Sequence, residues 1–510
     1  MIMNPNMIQG QLNQAKTLTE NGAVAYETSG HALLDFNFAL SALRNSSERQ
    51  IREMYSKAFY EDPHTAVKFL FWLRDCRGGA GERRIFRECF LWLAENRPEI
   101  AKATLHLVSE YGRWDDIWVL LDTNLRDDVI RLVDKQITSD CDAMEIGGRV
   151  SILAKWMVSE NASSAQTRHY AEIIRDGLGM TPKRYRKMLS SLREYLEVVE
   201  CKMSANQWAD IKYETVPSKA NLIYKDAFMR HDEERRREYL ESLKKGETKI
   251  NAGVLQPHEI AGKYFTDNGF LGRRVNPSED QALEELWKAL PDITVGNTIV
   301  VEDTSGSMTS GYGTNIRPID VATALAVYMS EHNDETWRDK IISFSDNPQL
   351  LDMSNCNSLR EKIAYIENTA EISNTDIEKT MLLILNTAIA NHCSQEEMPG
   401  TVLILSDCQW DQMTYIRGRR PNASLFDNIA REFEAHGYKL PKIVFWNLSG
   451  VVNKTIPMQQ NELGVILMSG FSVQLMNMAM SSKVDPYEAL LETINAPRYD
   501  AVEEALKGIV

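Results

Sequence analysis

The chain has 510 residues, 43% of them hydrophobic and 25% charged, with a formal net charge of −15. That length divides into about three domains, or two large ones, each able to bury a core without disulfides or metal. The acidic balance excludes a protein basic all over, of the histone or ribosomal sort, but not one with a local basic site.

From about Asn37 to Leu290 the pattern is helical. Leu33, Phe36, Leu40 and Leu43 share one helical face, as do Phe69, Leu70 and Leu73, and Phe86, Phe90 and Leu93. Breakers separate the runs: Asp62-Pro63, Gly78-Gly79-Ala80-Gly81, Arg97-Pro98, Gly147-Gly148 and Thr181-Pro182. Thr181 reads as an N-cap with proline at the first helical position. Short loops between helices of about 10–18 residues are the spacing of stacked antiparallel helix pairs, although no clean repeat is visible.

Near residue 295 the texture changes. Thr298–Val301, Ile341–Phe344, Thr401–Leu405, Ile443–Trp446 and Val465–Met468 read as strands. Helical stretches at Asp320–Ser330, Asp376–Ala390 and Ser424–His436 alternate with them, and Pro486–Lys507 returns to helix. This alternation predicts a parallel sheet covered on both faces, with the ligand site at the carboxyl ends of the strands. The expected division is an N-terminal segment 1–29, a helical domain 30–294, an α/β domain 295–480 and a helical tail 481–510.

Seven cysteines are scattered with no CxxC pair, and nine histidines show no zinc spacing. The opening MIMNPNMIQGQLNQ lacks a basic stretch followed by an apolar one, and apolar runs such as Met381–Leu385 fall short of a membrane span. A cytoplasmic protein that does not meet a membrane is expected. Residues 1–300 hold 41 Lys+Arg against 44 Asp+Glu, and the remainder 16 against 28. A polyanion is therefore expected at the first part.

The first strand of the α/β region runs into Val301-Glu-Asp-Thr-Ser-Gly-Ser-Met308. Asp303, Ser305 and Ser307 alternate just past it, so one loop can aim three hard oxygens at a point. Thr375, in Asn374-Thr375-Asp376, opens a helix, and Ser406-Asp407 ends a strand at the same edge. The same residues also fit ordinary turn and helix caps. Asp303-x-Ser305-x-Ser307 with Thr375 and Asp407 resembles the metal-ion-dependent adhesion site (MIDAS) of von Willebrand factor A domains. The resemblance implies that these five residues bind a divalent metal whose open position a partner's carboxylate fills. A set rich in hydroxyls and poor in carboxylates favours Mg2+. Glu302 departs from the family's apolar residue and, if turned to the crevice, adds negative charge.

The stretch Phe71-Trp-Leu-Arg-Asp-Cys-Arg-Gly-Gly-Ala-Gly-Glu-Arg-Arg84, then Tyr111-Gly-Arg-Trp-Asp-Asp116, resembles the TROVE module of Ro autoantigen-like proteins. It is nearer still to an uncharacterised Ro-like branch in which that module precedes a von Willebrand A domain. Tyr185–Ser190, Val216–Ser218, Pro257–Ile260, Phe445–Asn447 and Ser469–Ser472 are similar to the same branch, so the likeness spans roughly 30–480. It implies a HEAT-like ring of helices followed by a Rossmann-like A domain, and a ribonucleoprotein role in which the ring holds small structured or single-stranded-ended RNA.

Read from the residues alone, Arg77, Arg84 and Arg87 are RNA-contact candidates that could equally pair with Asp75, Glu82 and Glu88. Lys183, Arg184, Arg186 and Lys187, with no acid between residues 177 and 193, are the better phosphate candidates. Arg235-Arg236-Arg237 beside three acids reads as a solvated helix face. Trp72, Tyr111, Trp114 and Tyr185 are candidate stacking residues, Trp72 also reading as core. No histidine base or HExxH occurs, and the glycine-rich turn lacks the GK[ST] of a P-loop, so no enzyme is expected. The expected function is a non-catalytic RNA-binding scaffold whose A domain recruits an acidic protein partner through metal. The alternative is a metal-dependent protein-interaction scaffold without nucleic acid.

Overall fold

The computed structural model describes residues 16–18, 24–26, 28–267, 273–309, 316–345, 347–370, 376–408, 425–449, 465–480, 483 and 485–509. A mainly helical region is followed by an α/β region with a mixed, mostly parallel sheet. By compactness the chain forms two units: residues 51–254 with 494–510, and residues 1–50 with 255–493. The composition shift near 295 is thus not where compactness divides the chain.

In the helical unit, sequence neighbours pack on one another. Pro63–Arg74 lies on Arg83–Asn96, Arg83–Asn96 on Pro98–Thr104, and Ser218–His231 on Glu233–Lys244. The breakers act as caps. Asp62 accepts the Thr65 N–H at 3.1 Å, and Thr181 accepts the Arg184 N–H at 3.3 Å with Pro182 at the first helical position. The final helix, Asp500–Leu506, packs on Pro63–Arg74 and Pro98–Thr104. Pro497 interrupts the expected long C-terminal helix, which is split into Pro486–Ile494 and Asp500–Leu506.

The other unit is built on six strands: β1 (Thr298–Asp303), β2 (Lys340–Phe344), β3 (Gln349–Asp352), β4 (Thr401–Ser406), β5 (Lys442–Asn447) and β6 (Val465–Ser469). Their order is β6-β5-β4-β1-β2-β3, parallel except for the antiparallel pair β2–β3. Strand β3 was not anticipated, because Gln349-Leu-Leu-Asp352 is short and has no β-branched residue. Central β1 is buried along its whole length. The helix Pro318–Glu331 is apolar nearly all round, and accordingly is enclosed by the sheet on one side and by Pro257–Ala261 and Leu359–Thr369 on the other. At the far side of the sheet, Ala32–Phe38 packs against β6. Among the described residues no helix is long and apolar enough to cross a membrane.

Candidate functional site at the carboxyl edge of the sheet

The parallel register lines up the strand ends. Glu302 pairs with Leu405, Ser406 with Asn447, and Asn447 with Ser469. Asp303, Ser406, Asn447 and Ser469 therefore end four neighbouring strands in a row, and all are buried.

One half of that row is Asp303 and its loop. Asp303 is fully buried; its Oδ1 accepts the Ser305 N–H at 2.9 Å and its Oδ2 the Ser406 hydroxyl at 2.5 Å. The Ser305 and Ser307 hydroxyls are 3.0 Å apart, and Ser307 is exposed, so the oxygen cluster opens to solvent. Ser406 in turn accepts the Cys408 N–H at 3.0 Å, while its carbonyl takes the Leu448 N–H at 2.9 Å. Burial first, and the negative charge of Asp407 second, push the Asp303 carboxyl up to about 7; the bonds from Ser406 and Ser305 pull it down. Cys408, in the left-handed region at φ +64, is buried, and burial pushes its thiol well up, away from thiolate chemistry.

The structure thus brings Asp303, Ser305 and Ser307 together and sets Asp407 near enough to act on Asp303 electrostatically. Thr375 lies outside the described residues; its neighbour Asp376 is the N-cap of Ile377–Ala390, accepting the Lys379 N–H at 2.9 Å. Glu302 turns away to Pro318–Glu331, where its carboxylate accepts the Thr323 hydroxyl. No group of three or more His, Cys, Asp or Glu side chains able to hold a metal occurs among the described residues. The Asp303 cluster is of another kind, two carboxylates completed by hydroxyls. Its donors are all hard oxygens, which fit a hard divalent cation, and such a cation would let both carboxylates ionise side by side.

The other half of the row is covered by the helices Ala32–Phe38 and Leu40–Leu43 of the same chain. The Ser41 hydroxyl donates to Asn447 O at 2.8 Å and takes bonds from Ser469 Oγ at 2.9 Å and Gly470 N at 3.0 Å. Asn447 Nδ2 donates to Phe38 O at 2.8 Å. Phe445–Asn447 and Ser469–Ser472 stand out as motifs in the sequence, but nothing local in them shows that both end strands under one serine. The one sequence signal for Ser406 is its place before Asp407, which does not reveal its bond to Asp303.

On the helical unit, Lys183, Arg184, Arg186 and Lys187 are all exposed along Pro182–Tyr195. Arg186 pairs with Glu160 at 2.9 Å, a carboxylate brought in from another segment. Arg77 and Arg84 are exposed, the Arg77 side chain reaching Glu110 O at 3.4 Å. Arg87 is instead held between Asp115 and Asp116. The four candidate stacking aromatics are core residues: Trp72, Tyr111, Trp114 and Tyr185 are at most 7% exposed, and Tyr185 donates to Val158 O. None offers a face to a base.

Residues 19–145 and 146–293 match a domain of unknown function, DUF2828, and residues 297–505 another, DUF7788. The "Uncharacterized protein L728" of Acanthamoeba polyphaga mimivirus is 30% identical over 525 aligned residues, covering 94% of this chain and 87% of that protein. The DUF2828 match takes in more than half of the sequence, and the viral relative aligns through both regions. The chain therefore belongs to the DUF2828 family, in the arrangement where a DUF7788 region follows.

Proposed function

We propose that the chain is a non-catalytic scaffold whose α/β unit, of von Willebrand A type, holds Mg2+ at the carboxyl edge of β1 and β4 and through it grips a carboxylate of a protein partner. Asp303, Ser305, Ser307, Thr375 and Asp407 are the proposed ligands. The observation that carries this reading is that Asp303, Ser305 and Ser307 are gathered at the sheet edge, with Ser307 exposed and Asp407 near enough to act on Asp303 electrostatically. Calorimetric titration of the full chain should give one Mg2+ or Mn2+ site, lost in Asp303→Ala and in Asp407→Ala with thermal unfolding otherwise kept. Partner capture should end on chelation. Binding that survives either carboxylate change removes the site from the proposal.

A second reading, RNA binding by the helical unit as in Ro-like proteins with their HEAT-like ring, is favoured by the exposed run Lys183, Arg184, Arg186 and Lys187, which among the described residues has Glu160 as its one ion-pair partner. Changing all four to Ala should weaken binding of a hairpin RNA with a single-stranded tail across sequences, and flatten the salt dependence by roughly one phosphate contact per lost cation. An unchanged affinity and salt slope would exclude this helix as the contact surface.

A further inference from the structure

Four arginines of the helical unit converge on two adjacent aspartates. Asp116, fully buried, accepts at Oδ2 from Arg74 Nε at 2.7 Å and the Arg113 backbone N–H at 2.9 Å. At Oδ1 it accepts from Arg87 Nε at 2.8 Å and Arg83 Nε at 3.3 Å. The Asp115 carboxylate accepts from Arg113 at 2.9 and 2.8 Å and from Arg83 and pairs with Arg87 at 3.3 Å, while the Asp115 carbonyl accepts from Arg87 Nη2 at 2.6 Å. Gly112 makes the approach possible, since a Cβ there would stand 2.7 Å from Asp116 Oδ2 and 2.9 Å from Arg74 Nε.

Two carboxylates balance two of the four guanidinium charges. Arg74 is buried, but Arg83, Arg87 and Arg113 keep 42%, 23% and 29% of their side chains exposed. Their Nη1 groups have no hydrogen-bond partner among the described residues. Arg113 is fixed in place by lying 3.9 Å over the Trp156 ring. Burial, and then repulsion from Arg87 and Arg113, lower the Arg83 pKa, so the cluster carries its surplus at a cost. A further carboxylate, Asp122, is engaged by His169 at 3.0 Å and Gln166 at 3.3 Å.

We infer that Arg83, Arg87 and Arg113, gathered round Asp115, form a binding site for a phosphate-monoester dianion. Among the groups in direct contact the surplus of two positive charges equals the charge of that group, and each of the three unengaged Nη1 groups can give a charge-assisted bond to one phosphate oxygen. A carboxylate ligand would leave one charge over. The site uses none of the residues of the sheet edge or of the exposed run Lys183, Arg184, Arg186 and Lys187, and it does not rest on either proposal above.

The test is thermal unfolding of the full chain with inorganic phosphate against chloride at equal ionic strength and pH, with adenosine monophosphate as a second arm. Phosphate should raise the melting temperature selectively. A larger shift with the nucleotide identifies a nucleotide-borne phosphate, and an equal shift identifies free phosphate. Arg83→Gln, at the most exposed of the three, should weaken phosphate binding roughly tenfold. Arg113→Lys, which keeps the charge and loses the fork, should weaken it too. Arg131→Gln, on a different helix, should leave it unchanged. Equal melting in phosphate and chloride, or an undiminished shift in both Arg83→Gln and Arg113→Lys, overturns the inference and leaves the cluster a purely structural one.

Discussion

At the scale of single residues, the glycine-rich turn between Pro63–Arg74 and Arg83–Asn96 does more than reverse the chain. Asp75, fully buried, takes both Nε and Nη2 of Arg498, and also the Tyr499 hydroxyl at 3.1 Å. Gly78 gives Arg498 its room, for a Cβ there would stand 2.7 Å from Arg498 Nε. Gly79 gives room to the backbone itself, since its Cβ would fall 2.0 Å from the Trp72 carbonyl oxygen. The two positions should therefore respond differently. A flexible guanidinium can shift, so Gly78→Ala is expected to cost about 1 kcal/mol. A carbonyl inside a buried helix cannot, so Gly79→Ala is expected to cost about 3 kcal/mol or more. Denaturant unfolding of the two variants measures the difference, and equal costs would mean the turn relaxes as a whole. The sequence announced a tight turn here, but not its occupant, because Arg498 lies more than 400 positions away and no local pattern points to it.

At the scale of elements, Asp116 ties Pro63–Arg74 to Arg83–Asn96 through Arg74, Arg83 and Arg87. Burial works to raise its pKa, but the arginine charges and the Arg113 N–H outweigh burial and hold it below the usual carboxylate range. A depressed folded pKa stabilises above the unfolded value of about 3.9 and loses that stabilisation as pH falls through the folded value. Asp116→Asn is thus expected to destabilise by about 3–5 kcal/mol near neutrality, as breaking a buried pair does. The gap from the wild type should stay constant above about pH 5 and shrink below about pH 4, as read by denaturant unfolding across that range. A gap that widens on acidification would reverse the assignment. Five of the six strands, with the helices Pro318–Glu331, Ile377–Ala390 and Leu425–Ala435, were legible from β-branched runs and helical periodicity alone. So was the loop carrying Asp303, Ser305 and Ser307, because alternation at a strand end is a local signal. What was not legible is the pairing of charges: Arg87 reads equally as a phosphate contact or as a partner of Asp75, Glu82 or Glu88, and the carboxylates that folding brings to it are Asp115 and Asp116. The aromatics failed as stacking platforms for the same reason, since periodicity marks an apolar face without saying what covers it.

At the scale of the whole molecule, the change of texture near residue 295 and the family matches at 293 and 297 agree, while the compact units do not follow them. Each unit takes chain from both sides of that point. The α/β unit needs Ala32–Leu43, whose Ser41 and Phe38 complete the bonds of Asn447, Ser469 and Gly470, and it needs Pro257–Ala261 over the buried helix Pro318–Glu331. The helical unit needs Arg498 and Tyr499 on Asp75, and Lys68 bonded to Asn495 at 2.7 Å. A fragment cut at the composition shift, residues 295–480, would leave buried polar groups at the ends of β5 and β6 unbonded, at about 1–3 kcal/mol each, and would bare one flank of a mostly apolar, buried helix. A fragment of residues 30–294 would leave Asp75 buried without its arginine, itself a loss of several kcal/mol. Neither is expected to give a soluble, cooperatively melting species when made alone, whereas the two halves 1–294 and 295–510 co-expressed should recover both units. A monomeric 295–480 fragment melting as the full chain does would show that the terminal segments are ornaments on a sheet that stands without them.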